Sequence, residues 1–249
     1  MKILAIESSA LVASAAVYED GVVKALCSSN FKKTHSQTLM PMVDQVIKMT
    51  ETDPESLDAV AVSGGPGSFT GLRIGCATAK GLCLALDKPL IHVPTLDAMA
   101  YNFYAGRDLI VPVMDARRSQ VYTGIYTFRK NKAGEEELRI LLEGCAMDIN
   151  ELLALIREKY FYDKDKAEFS RAVFLGDGVS AFKDVIESNA RFEFVFAGPN
   201  QAFQGAGSLA VLAAEYFRQG KIIDADAESP VYLRPSQAER VKALKEGRA

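Results

Sequence analysis

The densest chemical signal in the sequence is Ser63-Gly64-Gly65-Pro66-Gly67-Ser68-Phe69-Thr70-Gly71-Leu72-Arg73-Ile74-Gly75. A glycine-rich loop that opens a helix offers backbone N–H groups beside the positive end of the helix dipole, so the chemistry it suggests is phosphate binding. It is not a Walker A loop, because no Gly-Lys-Ser/Thr ending supplies a phosphate lysine and a magnesium hydroxyl. Gly65, Gly67 and Gly71 come closer to a dinucleotide loop. Against that, the preceding strand is the fourth of the chain, Pro66 stiffens the turn, and Asp87 falls too early for a ribose contact. The plain alternative is a tight turn with close helix–sheet packing that binds nothing, the usual role of an isolated glycine-rich loop.

The other reactive residue types are sparse. The two histidines, His35 and His92, lie far apart, with no H-x-x-x-H pair. Cys27, Cys76, Cys83 and Cys145 form no C-x-x-C motif. No local cluster of N, O or S ligands is therefore present, and no metal site is expected. The cysteines read as reduced thiols of a cytoplasmic protein, with Cys76 and Cys83 packed on a helix. Ser8, Ser9 and Ser68 have no signature base and no G-x-S-x-G elbow, which makes a peptidase a poor reading. His35, with Thr34 as N-cap, reads as a helix-start residue and His92 as a semi-buried strand end. No catalytic residue is assigned.

The elements that must position these residues come in one order, twice. Lys2 to Ser9, Ala13 to Glu19 and Val22 to Ser29 read as strands, with a hairpin signal at Asp20-Gly21. Helix His35 to Thr50, strand Asp58 to Ser63, helix Thr70 to Leu86, strand Pro89 to Val93 and helix Thr95 to Tyr104 follow. After Ala105-Gly106-Arg107-Asp108, strands Leu109 to Met114, Gln120 to Phe128 and Leu138 to Ala146 are expected, with Asn131 to Glu137 as a charged turn. Helix Asn150 to Tyr160, strand Ala172 to Leu175, helix Val179 to Ser188, strand Phe192 to Phe196 and helix Ala202 to Gln219 complete the pattern. The expected architecture is α/β, two β-β-β-α-β-α halves over residues 1–105 and 106–249, with the last helix packing back on the first half.

Composition fits such a molecule. The 249 residues are 49% hydrophobic and 24% charged, enough for one large domain or two small ones. The formal charge of −3 gives no whole-chain attraction for nucleic acid, so any RNA is expected to be held by a partner. The run Ile3-Leu4-Ala5-Ile6, broken by Glu7, is neither a signal peptide core nor a bilayer span, and a soluble chain is expected.

Gly65 to Gly75 closely resembles the most characteristic stretch of the TsaB family. Lys2-Ile3-Leu4-Ala5-Ile6-Glu7-Ser8-Ser9 resembles that family's opening strand and first phosphate-loop position, and Thr34-His35-Ser36-Gln37-Thr38-Leu39-Met40-Pro41 its first helix start. Asp115-Ala116-Arg117-Arg118, Val121-Tyr122 and Pro230-Val231-Tyr232-Leu233-Arg234 extend the likeness nearly end to end. The resemblance implies an actin-like ATPase fold of two ribonuclease-H-like halves. It also implies a role in forming threonylcarbamoyladenosine on tRNA, as the non-catalytic partner of a TsaD-like transferase, with a TsaE-like ATPase in a larger complex. TsaD carries two metal-binding histidines a helical turn apart, which this sequence lacks. By the same analogy, Ser8, Ser9, Asp115, Gly176, Asp177 and Gly178 occupy nucleotide-loop positions. The apolar run Ala10-Leu11-Val12 suggests a degenerate or weak site for ATP or ADP, with no cofactor required.

Both helices of the first half are broadly apolar. Between Thr70 and Leu86 the charges are Arg73 and Lys80, on one stripe, and Leu39, Met40, Met42, Val43, Val46, Ile47 and Met49 cover about half of the other wheel. Neighbouring helices of the same domain could bury both faces, or a partner could. The resemblance favours a partner, with His35, Leu39, Met40, Met42, Met49, Leu72, Cys76, Lys80 and Cys83 as interface candidates for the TsaD-like subunit or a homodimer. The competing function class is an enzyme using the cleft itself, a stand-alone ATP-dependent phosphotransferase or phosphohydrolase; a dehydrogenase using Gly65 to Gly71 is the weakest reading.

Overall fold

The computed structural model describes residues 1–31, 34–162, 168–225 and 229–233. Strands β1 (Lys2–Glu7), β2 (Ala13–Glu19) and β3 (Val22–Ser29) form an antiparallel meander, followed by α1 (His35–Met49), β4 (Ala59–Gly65), α2 (Phe69–Leu86), β5 (Leu90–Pro94) and α3 (Thr95–Ala100). The second series is β6 (Leu109–Asp115), β7 (Gln120–Lys130), β8 (Glu136–Asp148), α4 (Ile149–Tyr160), β9 (Ala172–Leu175), α5 (Gly178–Asn189), β10 (Phe194–Phe196) and α6 (Ala206–Arg218). The first sheet runs β3-β2-β1-β4-β5 and the second β8-β7-β6-β9-β10, the same order in both. β1 pairs antiparallel to β2 and parallel to β4, and β6 pairs likewise with β7 and β9. Each half is thus ribonuclease-H-like, and together they make the two-lobed actin-like fold.

Alternation along the central strands sets the layers. Ile3 and Ala5 face one side, into a core shared with Ala59, Ala61, Ile91, α3 and α6; Leu4 and Ile6 face the other, against α1 and α2. In the second sheet Ile110 and Met114 join the shared core, while Leu109, Val111 and Val113 pack under α4 and α5. The order of layers is helix, sheet, helix, sheet, helix. The β2–β3 hairpin needs two left-handed residues, and Asp20 (φ 46°) and Gly21 (φ 91°) supply them.

Several expected bounds differ: β1 ends at Glu7 rather than Ser9, β10 begins at Phe194 rather than Phe192, and three further elements change. β7 and β8 pair out to Lys130 and Glu136, so the turn shrinks to residues 131–135, where Asn131 Oδ1 accepts from the N–H groups of Ala133 and Glu135. The helix from Thr95 ends at Ala100 and finishes in a 3-10 turn over Tyr101–Phe103. α6 begins at Ala206 rather than Ala202, because extended Gly205 (φ −161°) precedes it and the carbonyl of Ala202 accepts from Gly176 N–H. α6 packs on the first sheet, with Ala206 N–H donating to Ser14 Oγ at 2.9 Å. The chain then crosses the edge of β5, where Ile223 and Leu90 exchange two backbone hydrogen bonds.

Candidate interaction face and cleft loops

Glu7 ends β1 and is fully buried. Its Oε1 accepts from Ser9 N–H at 2.6 Å and from Ser63 Oγ at 2.9 Å, its Oε2 meets no hydrogen-bond partner among the described residues, and burial pushes its carboxyl above the usual range. Ser8 and Ser9 are also fully buried, under the glycine loop. Ser8 Oγ donates to the carbonyl of Gly71, and Ser68 N–H donates to the carbonyl of Ser9. A Cβ on Gly67 would run into Ser9 O, one on Gly71 into Ser8 O, and one on Gly75 into Ser8 Oγ. The glycines are therefore packing residues that let α2 press onto the end of β1. Close packing on Ser8 and Ser9 thus accounts for glycine at positions 67, 71 and 75. The N–H of Ser68 is taken by Ser9, those of Gly71 and Leu72 by Ser68 Oγ and O, and a Cβ on Gly65 (φ 114°) would meet Val231 O. Ser68 is the N-cap of α2.

The second half repeats the device with a partly exposed acid. Asp115 ends β6, and its Oδ1 accepts from Arg117 N–H at 2.7 Å, as Glu7 does from the residue two ahead. Gly176 (φ 113°) follows β9 as Gly65 closes β4, and packs against Val113 O, while Gly178 sits against Asp115 N. Asp115, Gly176, Asp177 and Gly178 are thus brought together; Asp177 Oδ1 is shielded with no hydrogen-bond partner among the described residues, and burial raises its pKa. Arg117, Arg118 and Ser119 are exposed and all hold positive φ. Ser8 and Ser9 present no side chain to solvent, and Gly176 and Gly178 are buried, so of the six nucleotide-loop positions Asp115 and Asp177 are the two that stay partly accessible.

α1 and α2 lie side by side on the outer face of the first sheet. Leu72, Gly75, Cys76, Ala79 and Cys83 turn inward, and Arg73, Ala77, Gly81 and Leu84 form the outward stripe of α2, with Leu84 57% exposed. Phe69, at the N-terminal end of that stripe, stacks with Tyr232 (centroids 5.0 Å) and lies 3.8 Å beneath the guanidinium of Arg73. On α1, Leu39, Met42, Val43 and Val46 are buried while Met40 and Met49 are exposed. The half-buried His35 ring bonds Ala10 O through Nε2 at 2.7 Å, and its Nδ1 is shielded.

The family model described as TsaD, tRNA N6-adenosine threonylcarbamoyltransferase, matches residues 10–242. The protein named tRNA threonylcarbamoyladenosine biosynthesis protein TsaB from Bacillus subtilis is 34% identical over 239 residues, covering 96% of each chain. The chain belongs to the TsaB family. The Escherichia coli protein of the same name is 29% identical over 96% of each chain. The structure titled YeaZ from Pseudomonas aeruginosa superposes with a TM-score of 0.75 at 25% identity, over 93% of this chain and 99% of that one.

In this member of the TsaB family the interface candidates divide. Leu39, Met42, Leu72, Cys76 and Cys83 belong to the chain's own core, which corrects their assignment to a partner surface. On α2 the reason is close approach, since glycine at 71 and 75 against Ser8 lets the helix sit low on the sheet and press Leu72, Cys76 and Cys83 into the core; Leu39 and Met42 lie on the sheet-facing side of α1. Leu84 is left outward. His35 is engaged within the chain, Lys80 is half-buried, and Met40 and Met49 remain exposed. Two residues escaped the sequence reading. Glu7 was visible as an acid ending an apolar strand, a pattern that signals a buried functional or structural carboxylate. Tyr232 lies 159 positions from Arg73, and nothing local pairs them.

Proposed function

We propose that this chain is a non-catalytic subunit in tRNA threonylcarbamoyladenosine biosynthesis, holding a TsaD-like transferase through the outward stripe of α2. The observation that carries the reading is the stripe Arg73, Ala77, Gly81, Leu84. It is nearly uncharged, has small residues at its centre that permit close helix approach, and is exposed on a helix otherwise apolar enough to cross a membrane by length and composition. Its other side packs as the core helix of a globular lobe. A second copy of the chain would use the same stripe in a homodimer, in competition with the transferase, and a TsaE-like ATPase would join the assembled pair. We place the work in the cytoplasm, with tRNA held mainly by the partner.

No residue of this chain is assigned a chemical step. What it does for the reaction is positional: the Glu7–Ser9–Ser63 bonds and the glycine contacts fix α2 rigidly, so the docking helix is presented in one orientation. We assign any weak affinity for ATP or ADP to Asp115 and the Gly176-Asp177-Gly178 turn, since Ser8 and Ser9 are covered. The test is formation of threonylcarbamoyladenosine on tRNA by the organism's TsaD-like transferase, with and without this chain. Product that depends on the chain is expected. Equal product without it, or ATP turnover by the chain alone, would overturn the reading in favour of an actin-like phosphotransferase or phosphohydrolase.

A further inference from the structure

After α6 the chain crosses the β5 edge through the Leu90–Ile223 bridge and buries Ala225 among the α1–α2 core residues. It reappears at the glycine loop. There Val231 N–H donates to the carbonyl of Gly64 at 2.7 Å, and Val231 O fills the space that a side chain at Gly65 would need. The next residue, Tyr232, reaches the start of α2. Its ring lies 5.0 Å from that of Phe69 at 34°, and its hydroxyl accepts from Arg73 Nε at 3.2 Å. Arg73 in turn covers Phe69. Phe69 is 39% exposed and Tyr232 40%, so a guanidinium and two rings in mutual contact are left at the surface where the α2 stripe begins.

We propose that residues 230–233 are a strap that completes the partner-binding face, with Tyr232, Phe69 and Arg73 as one preformed anchor for the TsaD-like subunit. The inference rests on the functional reading above and adds to it a contribution from the far end of the chain. Three observations carry it. The cluster is continuous with the α2 stripe, since Arg73 belongs to both. Tyr and Arg are the residue types that dominate binding hot spots, and stacking fixes their rotamers before the partner arrives, which lowers the entropic cost of docking. Finally, the strap is tied by backbone to the loop that sets the position of α2, so anchor and helix move together.

The test compares wild type, Tyr232→Ala and Tyr232→Phe by isothermal titration with the TsaD-like subunit, alongside thermal unfolding and hydrogen exchange of residues 64–73. Tyr232→Ala should bind about ten- to a hundredfold more weakly. It should unfold at nearly the wild-type temperature and exchange faster at the start of α2. Tyr232→Phe, which keeps the ring stack, should recover most of the affinity. A wild-type chain that binds while Tyr232→Ala binds equally well would overturn the strap alone. A wild-type chain that binds no transferase would overturn the functional reading and the anchor with it.

Discussion

Single atoms decide how α2 meets β1. Because a Cβ on Gly71 would strike the carbonyl of Ser8, and backbone cannot step aside as a side chain can, Gly71→Ala should lose about 1–3 kcal/mol in urea unfolding. Gly81 has open space around it, so Gly81→Ala should be neutral or gain up to about 1 kcal/mol from helix propensity. Equal effects at the two sites would contradict a packing role for the loop. Glu7 carries a second prediction. Its carboxyl is raised above the ordinary 4.5 by burial, so the folded state favours the protonated form. The associated stability is full below the unfolded pKa and is lost as pH rises through the folded one. Glu7→Gln keeps an acceptor for Ser9 and Ser63 and should flatten that decline, measured as unfolding free energy against pH. The sequence displayed the glycines openly but not their partner: phosphate and backbone carbonyl both ask for glycine, and only Ser8 and Ser9, some 60 residues earlier, distinguish the two.

Between elements, the contact with the clearest titration joins the halves. Asp97 on α3, 7% exposed, accepts from Tyr126 of β7 at 2.9 Å and from Tyr216 of α6 at 3.5 Å. Burial first, with Glu143 adding to it against the pull of both tyrosines and Lys221, raises Asp97 from 3.8 to about 6. The sign follows as for Glu7: stability is greatest below pH about 4 and falls as pH rises to about 6, by on the order of 3 kcal/mol. Asp97→Asn should remove most of that slope, and an unchanged pH profile would refute the assignment. Tyr126→Phe should cost about 1–2 kcal/mol through the lost bond to a buried acceptor. Elements were readable where local rules suffice: β2, β3 and β9 fall on their expected residues, as alternation and the Asp20-Gly21 turn dictate. Boundaries set by tertiary contact were not, such as the start of α6, which depends on Ala202 bonding Gly176. Helix faces were hardest, because a wheel counts apolar residues and cannot see that Gly71 and Gly75 lower α2 onto the sheet.

At the scale of the whole molecule, the repeated strand order, the acid ending β1 and β6, and the paired glycines Gly65 and Gly176 describe one unit used twice. The copies have diverged: the first buries Glu7, Ser8 and Ser9 beneath α2, while the second leaves Asp115 partly exposed beside the exposed Arg117 and Arg118. The proposed docking of the transferase on α2 is the step on which the others depend. Light scattering after size-exclusion chromatography of this chain with the TsaD-like subunit tests it most directly, with Leu84→Glu beside wild type. Leu84 is exposed, so the substitution leaves the fold intact while placing a charge in the interface, at a cost of several kcal/mol. A one-to-one complex is expected for wild type and separate, folded components for Leu84→Glu; a Leu84→Glu chain that still elutes in the complex would rule out docking through α2.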